Sequence, residues 1–319
     1  MPPNFFFSFE IRYASFYCIN GTNKRMREEL LRRASALLER RGFTVFQCTG
    51  THACFDLVAR RGEDLFLIKA LENIDSFTSE QARDLDKLSF MFNAKSMILG
   101  ESTKEGRMDD GVLYERQGVP AISFRTMAGI IEGELPDSRK CKILSVSIDG
   151  AKLSEARRQK EYSLEDLSLK TRISKETLYR YEHEQIGASE ENICKLERVL
   201  EANLRKPIDP FNRKSKPADD KTIFSFLGFK SIKAKSAPFD IAAKERKRLF
   251  AGEEADRRTM KKRARIYQHI SKILESSPCF LLNDSKEDSL EGIPIIRRSE
   301  LKEIKRAREL LKLLEERGE

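Results

Sequence analysis

Metal ligands and cross-links are scarce in this chain. Its 319 residues include three histidines and six cysteines, and Cys18, Cys48, Cys54, Cys141, Cys194 and Cys279 are scattered with no Cys-x-x-Cys pair. A structural zinc needs four such ligands at characteristic spacings, so no metal or other cofactor is expected. The same scatter makes no disulfide framework and fits thiols kept reduced in the cytoplasm. Long apolar runs are missing too. Nothing approaches the roughly 18 residues that a spanning helix needs, which excludes a membrane segment of that kind. The opening stretch MPPNFFFSFEIRYASFYCINGTNK is apolar, but it lacks a basic start and is interrupted by Glu10 and Arg12, unlike a secretory signal. Residues 1–25 read as a poorly ordered leader, with Met26 as an alternative natural start.

Charge, by contrast, is abundant. Charged residues make up 35% of the chain and apolar ones 39%, enough apolar surface for folded cores, and the length suits two or three domains. Lys and Arg outnumber Asp and Glu by 60 to 51, a net charge of +9. Between Lys206 and Arg265 the count is 18 to 8, so the surplus is concentrated there. A local basic excess of this kind favours a polyanionic partner.

Helical spacing begins at Arg27, where Leu30, Leu31, Ala34, Leu37 and Leu38 share a face and Gly42 closes the helix. Strand patterns follow at Thr44 to Gln47, Phe55 to Ala59, Leu65 to Ala70, Ser96 to Leu99 and Ala121 to Phe124. Strands mixed with helices in this order predict an α/β domain over 26–137. A repeat then emerges. RGFTVFQCTGTHACFDLVAR at 41–60 is echoed by LGFKSIKAKSAPFDIAAK at 227–244, pairing Gly42-Phe43 with Gly228-Phe229 and Phe55-Asp56 with Phe239-Asp240. Without a gap, Leu65-Phe66 pairs with Leu249-Phe250, and Gly118-Val119-Pro120 pairs with Gly292-Ile293-Pro294. The reading is two copies of one α/β domain, the second (222–319) shorter. A helical unit lies between them at 138–206, followed by a Pro- and Lys-rich linker at 207–221. At the C-terminus, Leu301, Ile304, Ala307, Leu310, Leu311 and Leu314 form one helical stripe, expected to pack in a core rather than form a dimer seam.

The inserted unit carries the most specific pattern. In AKLSEARRQKEYSLEDLSLKTRISKETLYRYEHE, Ser163 and Asp166 form the ends of a capping box, and Ser174 stands as a second N-cap before a helix from Lys175 to about His183. Leu167, Ile173, Leu178 and Tyr181 are spaced to lock these two helices together. That is a helix-turn-helix, and residues 151–204 resemble the Cro and lambda-repressor type, an all-α five-helix domain. The resemblance implies that Lys175, Glu176, Thr177, Tyr179 and Arg180 face the major groove. It also implies that Ser163, and Ser174 at the next cap, mark helix N-termini set against DNA. Arg172 and Glu184 stand where that family commonly has glycine. Residues 151–205 hold 11 basic and 11 acidic side chains, so phosphate affinity must come largely from elsewhere.

FDLVARRGEDLFLIKALENID, with Asp56 and Lys69, resembles the PD-(D/E)XK nuclease or restriction-endonuclease-like fold, in which Asp, Glu and Lys gather Mg²⁺ and a water. The Glu position is Leu67, and in the second copy the Glu and Lys positions read Ala251 and Glu253 by the ungapped alignment. Both copies are therefore expected to be degenerate, with Asp56 and Lys69 as relics and no catalysis. Lys244, Arg246, Lys247, Arg248, Arg257, Arg258, Lys261, Lys262, Arg263 and Arg265 would give the second copy a basic surface. As a whole the arrangement resembles archaeal helix-turn-helix transcriptional regulators. That implies a cytoplasmic regulator on double-stranded DNA, a homodimer, with the transcription machinery as a further partner. An Mg²⁺-dependent, structure-specific nuclease targeted by the helix-turn-helix, and a scaffold with no nucleic-acid partner, stay open beside it.

Overall fold

The computed structural model describes residues 25–48, 53–134, 148–205 and 218–318. All of the expected leader but Arg25, which opens a helix, and most of the linker lie outside them, as do the expected domain ends at 137 and 206. The chain divides into two units, one built from residues up to 106 and from 213 onward, the other from 107 to 212.

In the first unit, helix α1 (25–40) buries Leu30, Leu31, Ala34 and Leu38. It stops where Gly42, at φ +80°, lets Phe43 turn back and donate to the Leu38 carbonyl at 3.0 Å. Strand β1 (Thr44–Gln47) lies antiparallel to β2 (Leu57–Arg61), β2 antiparallel to β3 (Asp64–Asn73), and β3 parallel to β4 (Lys95–Thr103) after helix α2 (Ser79–Phe92). A short strand, β5 (Gly106–Arg107), follows. The second unit contains the hairpin of β6 (Tyr114–Arg116) and β7 (Val119–Ile122), then α3 (Phe124–Ile131). Strand β2 starts two residues later than the apolar pattern suggests, and Asp56, just before it, turns its carboxylate to Lys69 and the Ala70 amide. Strand β7 ends at Ile122, because Ser123 accepts from the Thr126 amide and caps α3.

The second copy follows the same plan. Strands β8 (Lys230–Lys233), β9 (Ile241–Lys244), β10 (Arg248–Glu253), β11 (Ser276–Leu282), β12 (Ser289–Leu290) and β13 (Ile293–Arg297) form a sheet of order β12-β13-β11-β10-β9-β8, with α8 (Arg257–Leu274) between β10 and β11. Registers coincide: Gln47 pairs with Leu57 as Lys233 pairs with Ile241, and the Cys48 and Ala234 amides donate to the Asp56 and Asp240 carbonyls. Both hairpins before the last strand turn on two residues with positive φ, Gln117-Gly118 (+53°, +77°) and Glu291-Gly292 (+51°, +73°), the type I′ geometry that matches strand twist.

The two sheets thus share one strand order, with one correction to the alignment read from the sequence. The Asp56 amide donates to Ile68 O and the Asp240 amide to Ala251 O, so the hairpin after β9 is one residue shorter than the one after β2. Phe250 and Gly252, not Ala251 and Glu253, stand opposite Leu67 and Lys69. The two copies meet within the first unit. Helix α2 packs on β8 and β9 while α8 packs on β1 and β2. The Cys54 amide donates to Ser236 O at 2.5 Å, Asp84 accepts from the Ser236 amide at 2.7 Å, and Phe46 stacks on His269 at 4.9 Å. At the C-terminus the apolar stripe is split into α9 (Arg298–Glu303) and α10 (Ala307–Gly318), because Ile304 is extended. Leu301, Leu310, Leu311 and Leu314 enter the second copy's core.

Candidate nucleic-acid interface

Four helices make up the inserted module among the described residues: α4 (Gly150–Gln159), α5 (Leu164–Thr171), α6 (Lys175–Glu182) and α7 (Glu190–Leu200). This corrects the expected five. Residues 185–189 are not helical, and Ser189 caps a single last helix by accepting from the Asn192 amide. Leu153, Leu167, Ile173, Leu178, Tyr181, Ile193, Leu196 and Leu200 form one buried cluster, so the four residues expected between α5 and α6 are the seam that fixes their angle.

Both caps form. Ser163 Oγ accepts from the Asp166 amide at 3.1 Å, and the Asp166 carboxylate accepts from the Ser163 amide at 2.9 Å, a complete capping box. The serine hydroxyl beside it, more than any other group, holds the Asp166 carboxyl below its ordinary value. Ser174 Oγ accepts from the Thr177 amide at 3.2 Å and lies 2.9 Å from the Thr177 hydroxyl, leaving Thr177 half-buried. Between the helices Arg172 sits at φ +57° and closes α5, and Glu184 at φ +54° follows α6. Both positions where glycine is common are thus left-handed here. Each costs about 1 kcal/mol relative to glycine, a strain that the buried cluster on either side outweighs.

Helix α6 is anchored from behind. Arg157 of α4 makes a two-pronged ion pair to Glu182, at 2.6 and 3.0 Å and largely buried, and this bond holds the guanidinium more firmly protonated than usual. At Gly150 an added Cβ would lie 2.2 Å from the Glu182 carbonyl oxygen, so only glycine lets α4 start this close to the end of α6. Sequence reasoning missed both contacts, although Arg157 and Glu182 stand within the motif. The front of α6 is open. Lys175, Glu176, Tyr179 and Arg180 are exposed, and Arg180 and Glu176 make no ion pair among the described residues. Lys175 pairs with Glu165 of α5 at 3.2 Å, and Tyr179 stacks on His183 at 4.0 Å.

The relic position lies in the first unit. Asp56, 1% exposed, accepts from the Ala70 amide at 2.9 Å and from Lys69 Nζ at 3.1 Å, and it pairs with Arg27 of α1. Lys69 also donates to Ala53 O at 2.7 Å. Two cations therefore sit on this carboxylate, and the position where a second ligand would stand is the buried Leu67. That donor set does not fit Mg²⁺, which needs oxygen ligands rather than ammonium and guanidinium neighbours. Among the described residues no three His, Cys, Asp or Glu side chains gather as a metal site requires. In the second copy Asp240 accepts from the Glu253 amide at 2.7 Å and pairs with Arg263 at 2.8 Å. The Tyr267 ring fills the space over Gly252, with its hydroxyl donating to Pro238 O at 3.2 Å.

The expected basic surface is divided. Arg246 and Lys247 lie on the β9–β10 hairpin, Arg263 is spent on Asp240, and Arg257 and Lys261 pair with Glu287 and Glu291. No helix among the described residues is long and apolar enough to cross a membrane.

Residues 27–136 match the family described as PD-(D/E)XK superfamily domain, and residues 153–206 match the one described as Helix-turn-helix. A protein of Pyrococcus horikoshii, named "Putative HTH-type transcriptional regulatory protein", is 35% identical over 90% of this chain and 97% of its own length. Proteins of the same name from Thermococcus kodakarensis (33%; 91% and 96%) and Natronomonas pharaonis (30%; 92% and 99%) are similar along nearly their whole length. No solved structure matches.

Proposed function

The chain belongs to the family of archaeal helix-turn-helix-type transcriptional regulatory proteins, and from that premise we propose that it is a sequence-specific regulator that reads operator DNA with α6. The observation that carries this reading is the open front of α6, fixed from behind by the Arg157–Glu182 pair and capped at Ser174. Lys175, Glu176, Thr177, Tyr179 and Arg180 meet the major groove, with Arg180 suited to guanine and Glu176 to a cytosine amino group. Ser163 and Ser174 set the helix N-termini where backbone phosphates are met by free amides. Lys175 must leave Glu165 to reach DNA.

The module acts within a chain of domains at 26–137, 138–206 and 222–319, with a leader at 1–25 and a linker at 207–221. Both flanking domains are restriction-endonuclease-like folds without catalysis. The protein works in the cytoplasm as a homodimer, because one recognition helix covers a half-site, and it acts on the transcription machinery. The faces that α2 and α8 cover are already used inside one chain, so the second chain docks elsewhere.

Selection of random duplexes on the full chain with Mg²⁺ present tests the reading. An enriched motif, weakened by about 1–3 kcal/mol in Arg180→Ala and relaxed at one base position, is expected, with the DNA left intact. Cleavage abolished by Asp56→Ala would replace the regulator with a nuclease.

A further inference from the structure

Helix α8 of the second copy has two polar edges that differ in charge balance. On one edge Arg257 and Lys261 each meet an acid, Glu287 at 2.8 Å and Glu291 at 3.3 Å. On the next, Arg258, Lys262, Arg265, His269 and Lys272 are all exposed, at positions i, i+4, i+7, i+11 and i+14. With about 3.6 residues per turn and about 1.5 Å of rise, these five fall within about 80° of the helix circumference and extend about 21 Å. Arg258, Lys262, Arg265 and Lys272 make no ion pair among the described residues. The opposite face, with Met260, Ala264, Tyr267, Ile270 and Leu274, is buried.

The surroundings of the row supply little counter-charge. The strands that α8 packs on, β1, β2, β11 and β13, read TVFQ, LVARR, SSPCFLL and IPIIR, without an Asp or Glu. The acids at the two helix ends are engaged. Asp256 caps the helix by accepting from the Arg258 and Thr259 amides, and Glu275 pairs with Arg60 at 3.0 Å. Like charges at i,i+4, as Arg258 and Lys262 are, weaken an isolated helix, so the fold itself gains nothing from the row. Cations aligned without counter-charges raise the local potential and favour a bound polyanion.

The composition of the row selects among polyanions. It holds no apolar side chain, whereas a protein partner needs a charge-depleted, apolar centre to its interface. Its one ring, His269, is stacked on Phe46 at 4.9 Å, so the row lacks the free aromatic platform on which single strands stack their bases. A duplex backbone needs neither, since it carries about one negative charge per 1.7 Å of its length in a rigid array.

We propose that this face of α8 is a second contact for double-stranded DNA, in which Arg258, Lys262, Arg265 and Lys272 hold backbone phosphates whatever the base sequence. The proposal rests on the reading of the chain as a DNA-binding regulator, and it supplies phosphate affinity that residues 151–205, with equal numbers of acidic and basic side chains, lack. Base choice belongs to α6.

The test is anisotropy of a labelled random-sequence duplex on the full chain, across a salt series. Arg258→Gln, Lys262→Gln and Arg265→Gln combined, which leave no acid unpaired, should weaken binding and lower the salt slope by about 2.7, near 0.9 for each charge. A second variant, Lys262→Gln with Lys272→Gln, should lower it by about 1.8. Arg258→Lys with Arg265→Lys keeps the charge and should leave the slope unchanged. Arg180→Ala should remove the preference for a selected motif while most of the affinity for the random duplex persists. If no motif is ever selected and the α8 variants still lower the slope, the reading of α6 fails and this one stands. The proposal is overturned if both glutamine variants bind the random duplex with an unchanged slope, if a single strand binds as tightly as the duplex and is lost in the same variants, or if polyglutamate displaces the duplex as effectively as unlabelled duplex does.

Discussion

Asp56 and Asp240 occupy one place in two copies of a domain, and their surroundings differ. In the first copy the carboxylate is sealed, with Lys69 and Arg27 on it and the Ala70 amide beneath. In the second the lysine position is Gly252, Tyr267 of α8 covers it, and Arg263 approaches from the same helix. Both solutions bring positive charge to an acidic residue that a metal would otherwise neutralise. They do so with different residues from different elements. The backbone contact that positions the carboxylate is the same in both sheets, while the positive charge beside it comes from different elements.

The comparison breaks most sharply at the carboxylates. Asp56→Asn leaves Lys69 buried without its partner, so unfolding in urea should show a loss of about 3–5 kcal/mol. Asp240→Asn, at a side chain 31% exposed, should cost about 1 kcal/mol or less. Equal losses would mean that the two sites do the same structural work. Gly252 offers a second break. A Cβ there would lie 2.3 Å from Tyr267 Oη, so Gly252→Ala should cost about 1–3 kcal/mol. Adding Tyr267→Phe should recover most of that loss, which a double-mutant cycle would measure.

The smallest effect belongs to a contact with no counterpart among the described residues of the first copy. Arg317, more than any other neighbour, draws the Glu300 carboxyl down to about 2, with the Arg297 amide and side chain assisting. A depressed folded-state value gives stability that is present above the ordinary value of 4.5 and lost as pH falls from there toward 2. Because the pair is partly exposed, its size is about 1 kcal/mol. Glu300→Gln should therefore lower the thermal midpoint at neutral pH and make no difference near pH 2, a convergence that melts at stepped pH would follow.

Much of this was legible in residue order. Ser163, Asp166 and Ser174 announce helix starts because a side-chain oxygen three residues from a free amide is a local signal, and both caps stand where they were expected. The two copies were legible because Gly-Phe, Phe-Asp and Gly-x-Pro mark a helix stop, a turned carboxylate and a hairpin. The register of β10 was not, since a hairpin one residue shorter leaves the apolar alternation intact and shifts only what faces Asp240. Nor was Arg27, whose reach to Asp56 spans 29 positions and depends on where α1 docks. Five helices were expected from the family resemblance, and four form among the described residues because Ser189 starts only one.

The reciprocal seating of α2 and α8 has a consequence for how this architecture behaves in a cell. Two separate subunits joined in that way would come apart as their number fell, following mass action. Here the halves are tethered, so each meets the other at a fixed effective concentration, whatever the expression level. Dilution cannot undo this pairing, and a cell with only a few copies of the chain has the same assembled pair of sheets as a cell with thousands.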